Sequence, residues 1–116
     1  MSEAQTVTGK QGIARELTAF QHNILVILAK EPMYGLAIKR ELEEYYGTEV
    51  NHGRLYPNLD ELVGLGLIDK SELDKRTNQY ELTDDGVAAV MDQLGWTLEK
   101  IVTDDDRERQ VRELLE

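Results

Sequence analysis

Residues 33–90 constrain this chain more than any other stretch. MYGLAIKRELEEYYGTEVNHGRLYPNLDELVGLGLI is followed at once by DKSELDKRTNQYELT. The first part reads as two short amphipathic helices with a turn between them. One helix starts near Gly35 and puts Ile38, Leu42 and Tyr45 on one face, with Lys39, Arg40, Glu41, Glu43 and Glu44 mainly elsewhere. Gly47 supplies the left-handed residue that ends it. The next helix spans Asn51 to Leu65, with Asn51 as N-cap, Leu55, Leu59 and Leu62 as its buried stripe, and Gly64 and Gly66 as its stop. Leu67–Leu73 and Gln79–Leu82 read as short strands joined by the turn DKRTN, Asp74–Asn78. A helix–turn–helix joined to a hairpin with a Lys-Arg tip is the plan of a winged helix-turn-helix. The expected fold is therefore mainly α with a small β-hairpin.

The flanks extend this plan. Residues 1–11 are polar and aperiodic, which predicts a flexible N-terminal arm. Ile13, Leu17, Phe20, Ile24 and Ile27 recur at spacings of four and three, so a helix is expected over residues 12–30. Glu31-Pro32 ends it, because proline disfavours helix in the residue before it. Residues 12–83 then form one domain. Thr83-Asp84-Asp85 caps a long helix in which Val87, Val90, Met91, Leu94, Leu98 and Ile101 follow a near-heptad seam. Such a seam on a solvent-facing helix needs a partner, so residues 84–116 read as a C-terminal dimerisation helix. Thr103 to Asp106 interrupts it with a second cap, and Val111, Leu114 and Leu115 resume an apolar stripe. Trp96 lies beside the seam and reads as packing.

Charge opposes the simplest functional reading. The chain of 116 residues carries 23 acidic and 13 basic side chains, a net charge of −10. Such a surface repels nucleic acid until salt screens it. The screening length is about 8 Å in ordinary salt and about 3 Å at 1 M. An acidic, lysine-poor surface is what a cytoplasm with molar potassium favours. There is no cysteine, which removes disulfides, thiolate metal sites and thiol redox switches. The longest apolar run, Ile24–Ala29, is six residues, far short of the roughly 20 of a membrane span. The first residues have no apolar core of a secretory signal. The expected address is the cytoplasm, with no membrane association.

The candidate recognition segment is Asn51-His52-Gly53-Arg54-Leu55-Tyr56-Pro57-Asn58, which holds no acidic residue. Arg54 can pair with a guanine edge or hold a phosphate, and Asn51 and Asn58 can pair with adenine. Tyr56 can donate its hydroxyl to the DNA backbone or pack its ring on a sugar. Gly53 allows close approach. Pro57 gives up one helical hydrogen bond and predicts a tilt or loosening near the helix start. Alone, these residues are equally a capped, solvated helix start, and their place between a helix and a basic hairpin favours DNA. At the hairpin tip, Lys75, Arg76, Thr77 and Asn78 can follow the backbone or enter a minor groove, where Arg is attracted. The alternative is a polar turn exposed to water. Lys39, Arg40, Gln21 and His22 can reach flanking phosphates, or simply face water.

Catalytic chemistry finds little support. The two histidines, His22 and His52, are 30 residues apart, and Ser2 and Ser71 are the only serines. No zinc-protease, phosphate-loop or nucleophile-elbow pattern is present. Asp104, Asp105 and Asp106 adjoin at a helix start and do not converge on a cation. No cofactor or metal site is expected.

The motif YG at Tyr34-Gly35, Leu42-Glu43, Gly53-Arg54-Leu55-Tyr56-Pro57, Leu62, Gly66-Leu67-Ile68 and Tyr80-Glu81-Leu82-Thr83-Asp84-Asp85-Gly86 resembles the PadR-type transcriptional regulators. The likeness covers about residues 33–90, and Leu-Tyr-Pro is its most specific part. Arg54 stands where that family usually has Thr. The acidic composition further suggests a haloarchaeal member. The resemblance implies a homodimer joined through its terminal helices, with Ile13, Leu17 and Phe20 contributing beside the seam of Val87, Val90, Met91, Leu94, Leu98 and Ile101. It also implies one recognition helix per subunit in successive major grooves of a pseudo-palindrome. The expected partners are double-stranded DNA, a second copy of the chain, and inorganic cations at the DNA interface. A winged-helix protein–protein module of a transcription complex is the alternative.

Overall fold

The computed structural model describes residues 16–74 and 77–116. Among the described residues, five helices accompany a small antiparallel sheet. They are α1 (Ala19–Lys30), α2 (Gly35–Tyr46), α3 (His52–Gly64), α4 (Asp84–Ile101) and α5 (Asp105–Leu114). The strands are β1 (Met33–Tyr34), β2 (Ile68–Asp74) and β3 (Thr77–Leu82), in the order β1-β3-β2. This is the winged helix-turn-helix expected from the sequence, with the β2–β3 hairpin as the wing.

Each helix of the body supplies one apolar stripe to a common core. Ile24, Leu25 and Leu28 come from α1, Ile38 and Leu42 from α2, and Leu55, Leu59 and Leu62 from α3. Leu67, Ile68 and Tyr80 close the core from the sheet side, and α4 adds the buried Ala89 with Val90 packed partly against it. A fully buried leucine or isoleucine side chain stabilises by about 1.5–3 kcal/mol. The hydrophobic effect therefore concentrates in residues 20–89.

Local signals set the helix ends. Thr18 caps α1 by accepting from the Gln21 N–H at 3.1 Å, and the Gln21 Oε1 accepts from the Thr18 N–H at 3.2 Å. This reciprocal box corrects the expected helix over residues 12–30, because residues 16–18 lie outside α1. Residues 1–15, with the expected arm and Ile13, lie outside the described residues. Gly47 ends α2 with φ 72°, as its position in the sequence suggests. Glu43 then fixes the α2–α3 turn, accepting from the Lys39 ammonium at 2.7 Å and from the Val50 N–H at 3.0 Å. Asn51 caps α3 by accepting from the Arg54 N–H at 2.9 Å. The helix continues through Pro57 to Gly64 without a break.

The sheet differs from the sequence reading in two ways. Met33 and Tyr34 form a third strand, pairing with Tyr80 and Gln79. Two residues are too few to display an alternating pattern. The hairpin strands also run further than expected, with Asp74 opposite Thr77 and an irregularity between Glu72 and Asp74. Thr77 and Asn78 therefore belong to β3, not to the turn, while Lys75 and Arg76 lie outside the described residues.

The C-terminal third contrasts with the body. Gly86 sits so close to the Leu67 carbonyl and the Leu82 side chain that any Cβ there would collide with them. That contact seats the start of α4. Beyond Ala89, among the described residues, α4 and α5 bury nothing. Val87, Met91, Leu94, Trp96 and Ile101 are between 40% and 59% exposed. Trp96 is half-exposed in the single chain, with the Lys100 ammonium 5.5 Å from its ring centre. The cap at Asp104 is as expected, accepting from the Arg107 N–H at 2.8 Å. The α5 surface is laced with pairs such as Arg109–Asp106 and Arg112–Glu108. None of the described helices is long and apolar enough to cross a membrane.

Candidate nucleic-acid interface

The first two turns of α3 present the candidate segment. Asn51, His52, Gly53, Arg54 and Pro57 are exposed, Tyr56 and Asn58 are half-buried, and Leu55 points into the core. The 3.6-residue period accounts for this split: Leu55 and Leu59 anchor the helix, and the residues between them are left outside.

Each exposed group has a definite setting. The Asn51 Oδ1 is used by the helix cap, and that cap leaves its amide N–H groups unused. The His52 ring lies 5.6 Å from the Tyr56 ring at an interplanar angle of 8°. Tyr56 also leans on the start of α2, where a Cβ at Gly35 would stand 2.6 Å from its hydroxyl. Residue 35 must therefore be small for Tyr56 to lie where it does. The Arg54 guanidinium sits 3.9 Å from the centre of the Phe20 ring. A guanidinium over a ring face keeps its N–H donors for other partners. A Cβ at Gly53 would meet only the Asn51 Oδ1, at 3.3 Å, so the backbone here is open to close approach.

Asn58 is more committed than its sequence position suggests. Its Oδ1 accepts from the Gln21 Nε2 at 3.0 Å, and its Nδ2 donates to the Arg54 carbonyl at 2.7 Å. Gln21 itself is only 4% exposed, so it cannot reach a flanking phosphate. His22 is half-buried, and burial holds its imidazole below the ordinary histidine value. Its Nδ1 is buried with no hydrogen-bond partner among the described residues. Lys39 is paired with Glu43, which is itself held below the usual carboxylate range by the Lys39 hydrogen bond and by the Val50 N–H. Of the flanking candidates only Arg40 stays fully on the surface.

The wing meets α3 across a groove of about 630 Å³. Tyr34, Leu36, Tyr56, Leu73 and Tyr80 line it, and Asp74, Thr77 and Asn78 form its wing side. The Tyr80 hydroxyl is pushed up by burial, with further upward contributions from Asp60 and Tyr56 on α3.

The proposed dimer residues divide into three sets. Val87, Met91, Leu94 and Ile101 lie exposed at spacings of four, three and seven along α4. Leu17, Val90 and Leu98 are half-buried, Leu17 and Val90 against the core. Phe20 is 3% exposed and belongs to the core, so it is not free for a partner. The sequence reading missed this because the α1 periodicity is the same for a core face and for an interface.

The model of the PadR-like transcriptional regulator family matches residues 24–92. Among solved structures, RosR of H. salinarum grown from NaBr is 67% identical, with a TM-score of 0.86 over 88% of this chain and 93% of that one. A structure described as a complex, hsRosR-S4, is 64% identical with a TM-score of 0.89 over 91% of this chain and 92% of that one. Bacillus subtilis PadR in complex with operator DNA is 25% identical, with a TM-score of 0.56 over 67% of this chain and 46% of that one. The transcriptional activator GvpE of Haloferax mediterranei is 28% identical over 80 residues. That alignment takes in 69% of this chain and only 40% of GvpE.

Proposed function

The chain belongs to the PadR-like family of transcriptional regulators, and from that premise we propose that it acts as a homodimer on a pseudo-palindromic DNA site in a high-salt cytoplasm. The start of α3 enters the major groove. Arg54, Asn51 and His52 are its reading groups, and Gly53, Tyr56 and Pro57 set how closely the helix approaches. Asn58 keeps one N–H for the DNA after its two internal bonds. The wing, with Thr77, Asn78, Lys75 and Arg76, follows the adjacent backbone or minor groove. The exposed α4 residues Val87, Met91, Leu94 and Ile101, with the half-buried Val90 and Leu98 beside them, meet their counterparts in a second copy.

Charge segregation carries this reading. Residues 51–58 are mostly exposed and contain no carboxylate, on a chain of net charge −10. Residues 17–30 of α1 and its cap, and 32–40 leading into α2, also hold no acid, so the start of α3 and the helix segments beside it present the DNA with few carboxylates. High salt screens the remainder of the molecule. An ordinary basic binder releases cations and loses about 10³–10⁵ in affinity between 50 and 200 mM salt. Carboxylates brought near phosphates would instead take up inorganic cations, which gives a flat or rising dependence on salt.

The test is retention of genomic DNA fragments at low and at molar KCl, followed by sequencing. Enrichment of a two-fold symmetric site that persists in molar KCl is the expected result. No enrichment at either salt, from folded protein, would move the assignment to the protein–protein module. On the enriched site, Arg54→Ala is expected to cost about 1–3 kcal/mol of discrimination, measured by titration against a scrambled duplex.

A further inference from the structure

Two contacts join the first turn of α1 to the exposed face of α3, and a third ties that face together. The Arg54 guanidinium lies over the Phe20 ring at 3.9 Å. Gln21 donates to the Asn58 Oδ1 at 3.0 Å across 37 residues of sequence. Asn58 in turn donates to the Arg54 carbonyl at 2.7 Å. Phe20 and Gln21 are 3% and 4% exposed, so the seat is rigid and largely dry. Phe20 is braced further by Tyr46, whose ring lies 6.2 Å away at 21°. Tyr46 accepts a hydrogen bond from the Asn23 Nδ2 at 2.9 Å.

We propose that Phe20 and Gln21 are positioning residues for DNA reading: the α1 first turn holds the Arg54 guanidinium and the Asn58 amide in place before DNA arrives. The inference rests on the assignment of Arg54 to the DNA interface. An arginine side chain loses much rotamer freedom when it docks. Resting the guanidinium on a fixed ring removes part of that loss in advance, while its N–H donors stay available. Gln21 performs two tasks through one amide. Its Oε1 closes the α1 capping box and its Nε2 holds Asn58. The start of α1 and the reading face of α3 are therefore fixed by the same side chain.

The test is a double-mutant cycle of Phe20→Leu and Arg54→Ala, read as affinity for a duplex carrying the enriched two-fold site and for a scrambled duplex of equal length. Phe20→Leu keeps an apolar side chain and removes the ring. It is expected to weaken binding to the selected site about three- to tenfold, the range a cation–π contact supports, and to leave scrambled-duplex binding unchanged. In the Arg54→Ala background, Phe20→Leu should have no further effect. An equal effect in both backgrounds would mean that Phe20 acts only through the core, and would overturn the inference. If Arg54→Ala alone left binding to the selected site unchanged, the interface assignment would fail instead.

A measurement on the unaltered protein covers the case in which Phe20→Leu does not fold. In free protein the Phe20 ring current should shift the Arg54 Cδ protons upfield by NMR. Ordinary arginine shifts would overturn the proposal.

Discussion

The two ends of this molecule stand in opposite states. Around α1 and α3, groups of very different kinds find partners within the single chain: Asn58 is held by Gln21, Arg54 by Phe20, and Lys39 by Glu43. Along α4 the reverse holds, with Met91 59% exposed, Trp96 52% and Leu94 46%. Apolar surface left in water forfeits about 25 cal/mol for each Å² that could have been buried. On the proposed function, the α3 end is complete in one copy and the exposed α4 seam is where a second copy docks.

The strongest way to break the comparison is to charge the seam. Met91→Glu with Leu94→Glu should cost the single chain little, because both positions already face solvent. It should convert the dimer to a monomer by light scattering. Loss of paired binding should then weaken affinity for the two-fold site by about 10²–10⁴-fold. An unchanged mass would place the dimer contact elsewhere.

Core substitutions should do the opposite. Leu59 is fully buried on α3, and Leu59→Ala is expected to lower unfolding stability by about 2–5 kcal/mol by denaturant titration. Gly86→Ala sharpens the boundary between the two ends. Its methyl group would press on the Leu67 carbonyl and the Leu82 side chain, with an expected cost of about 1–3 kcal/mol. It should also disturb the seating of α4, so its effect on dimer mass should exceed that of Leu59→Ala.

The smallest effect concerns pH. His22 is held below its ordinary value of about 6.5 by burial. The unfolded chain takes up a proton below that pH before the folded chain does. Stability from the neutral His22 is therefore full above 6.5 and falls as pH drops towards the folded-state value. Thermal melts should show a shallow decline just below pH 6.5 that His22→Leu removes.

Much of this architecture can be read from the sequence because it rests on local rules. The left-handed cap at Gly47, the Asn51 cap and the leucine stripe of α3 each declare themselves within a few residues. The start of α1 does not, since the apolar period continues back to Ile13 while the Thr18–Gln21 box decides the boundary. β1 is too short to show a pattern. At the candidate site, the exposed set around Arg54 follows from helical spacing. The roles of Phe20, Gln21 and Asn58 do not, because they arise from contacts across more than 30 residues of sequence. A buried phenylalanine looks the same in sequence whether it faces the core, a partner or an arginine.

The most direct test of the account is the mass of the protein in molar KCl, alone and on a duplex carrying the enriched site. The account predicts two 13.2 kDa chains in the free protein and two on each duplex. A single chain in solution, binding the duplex as a single chain, would contradict it.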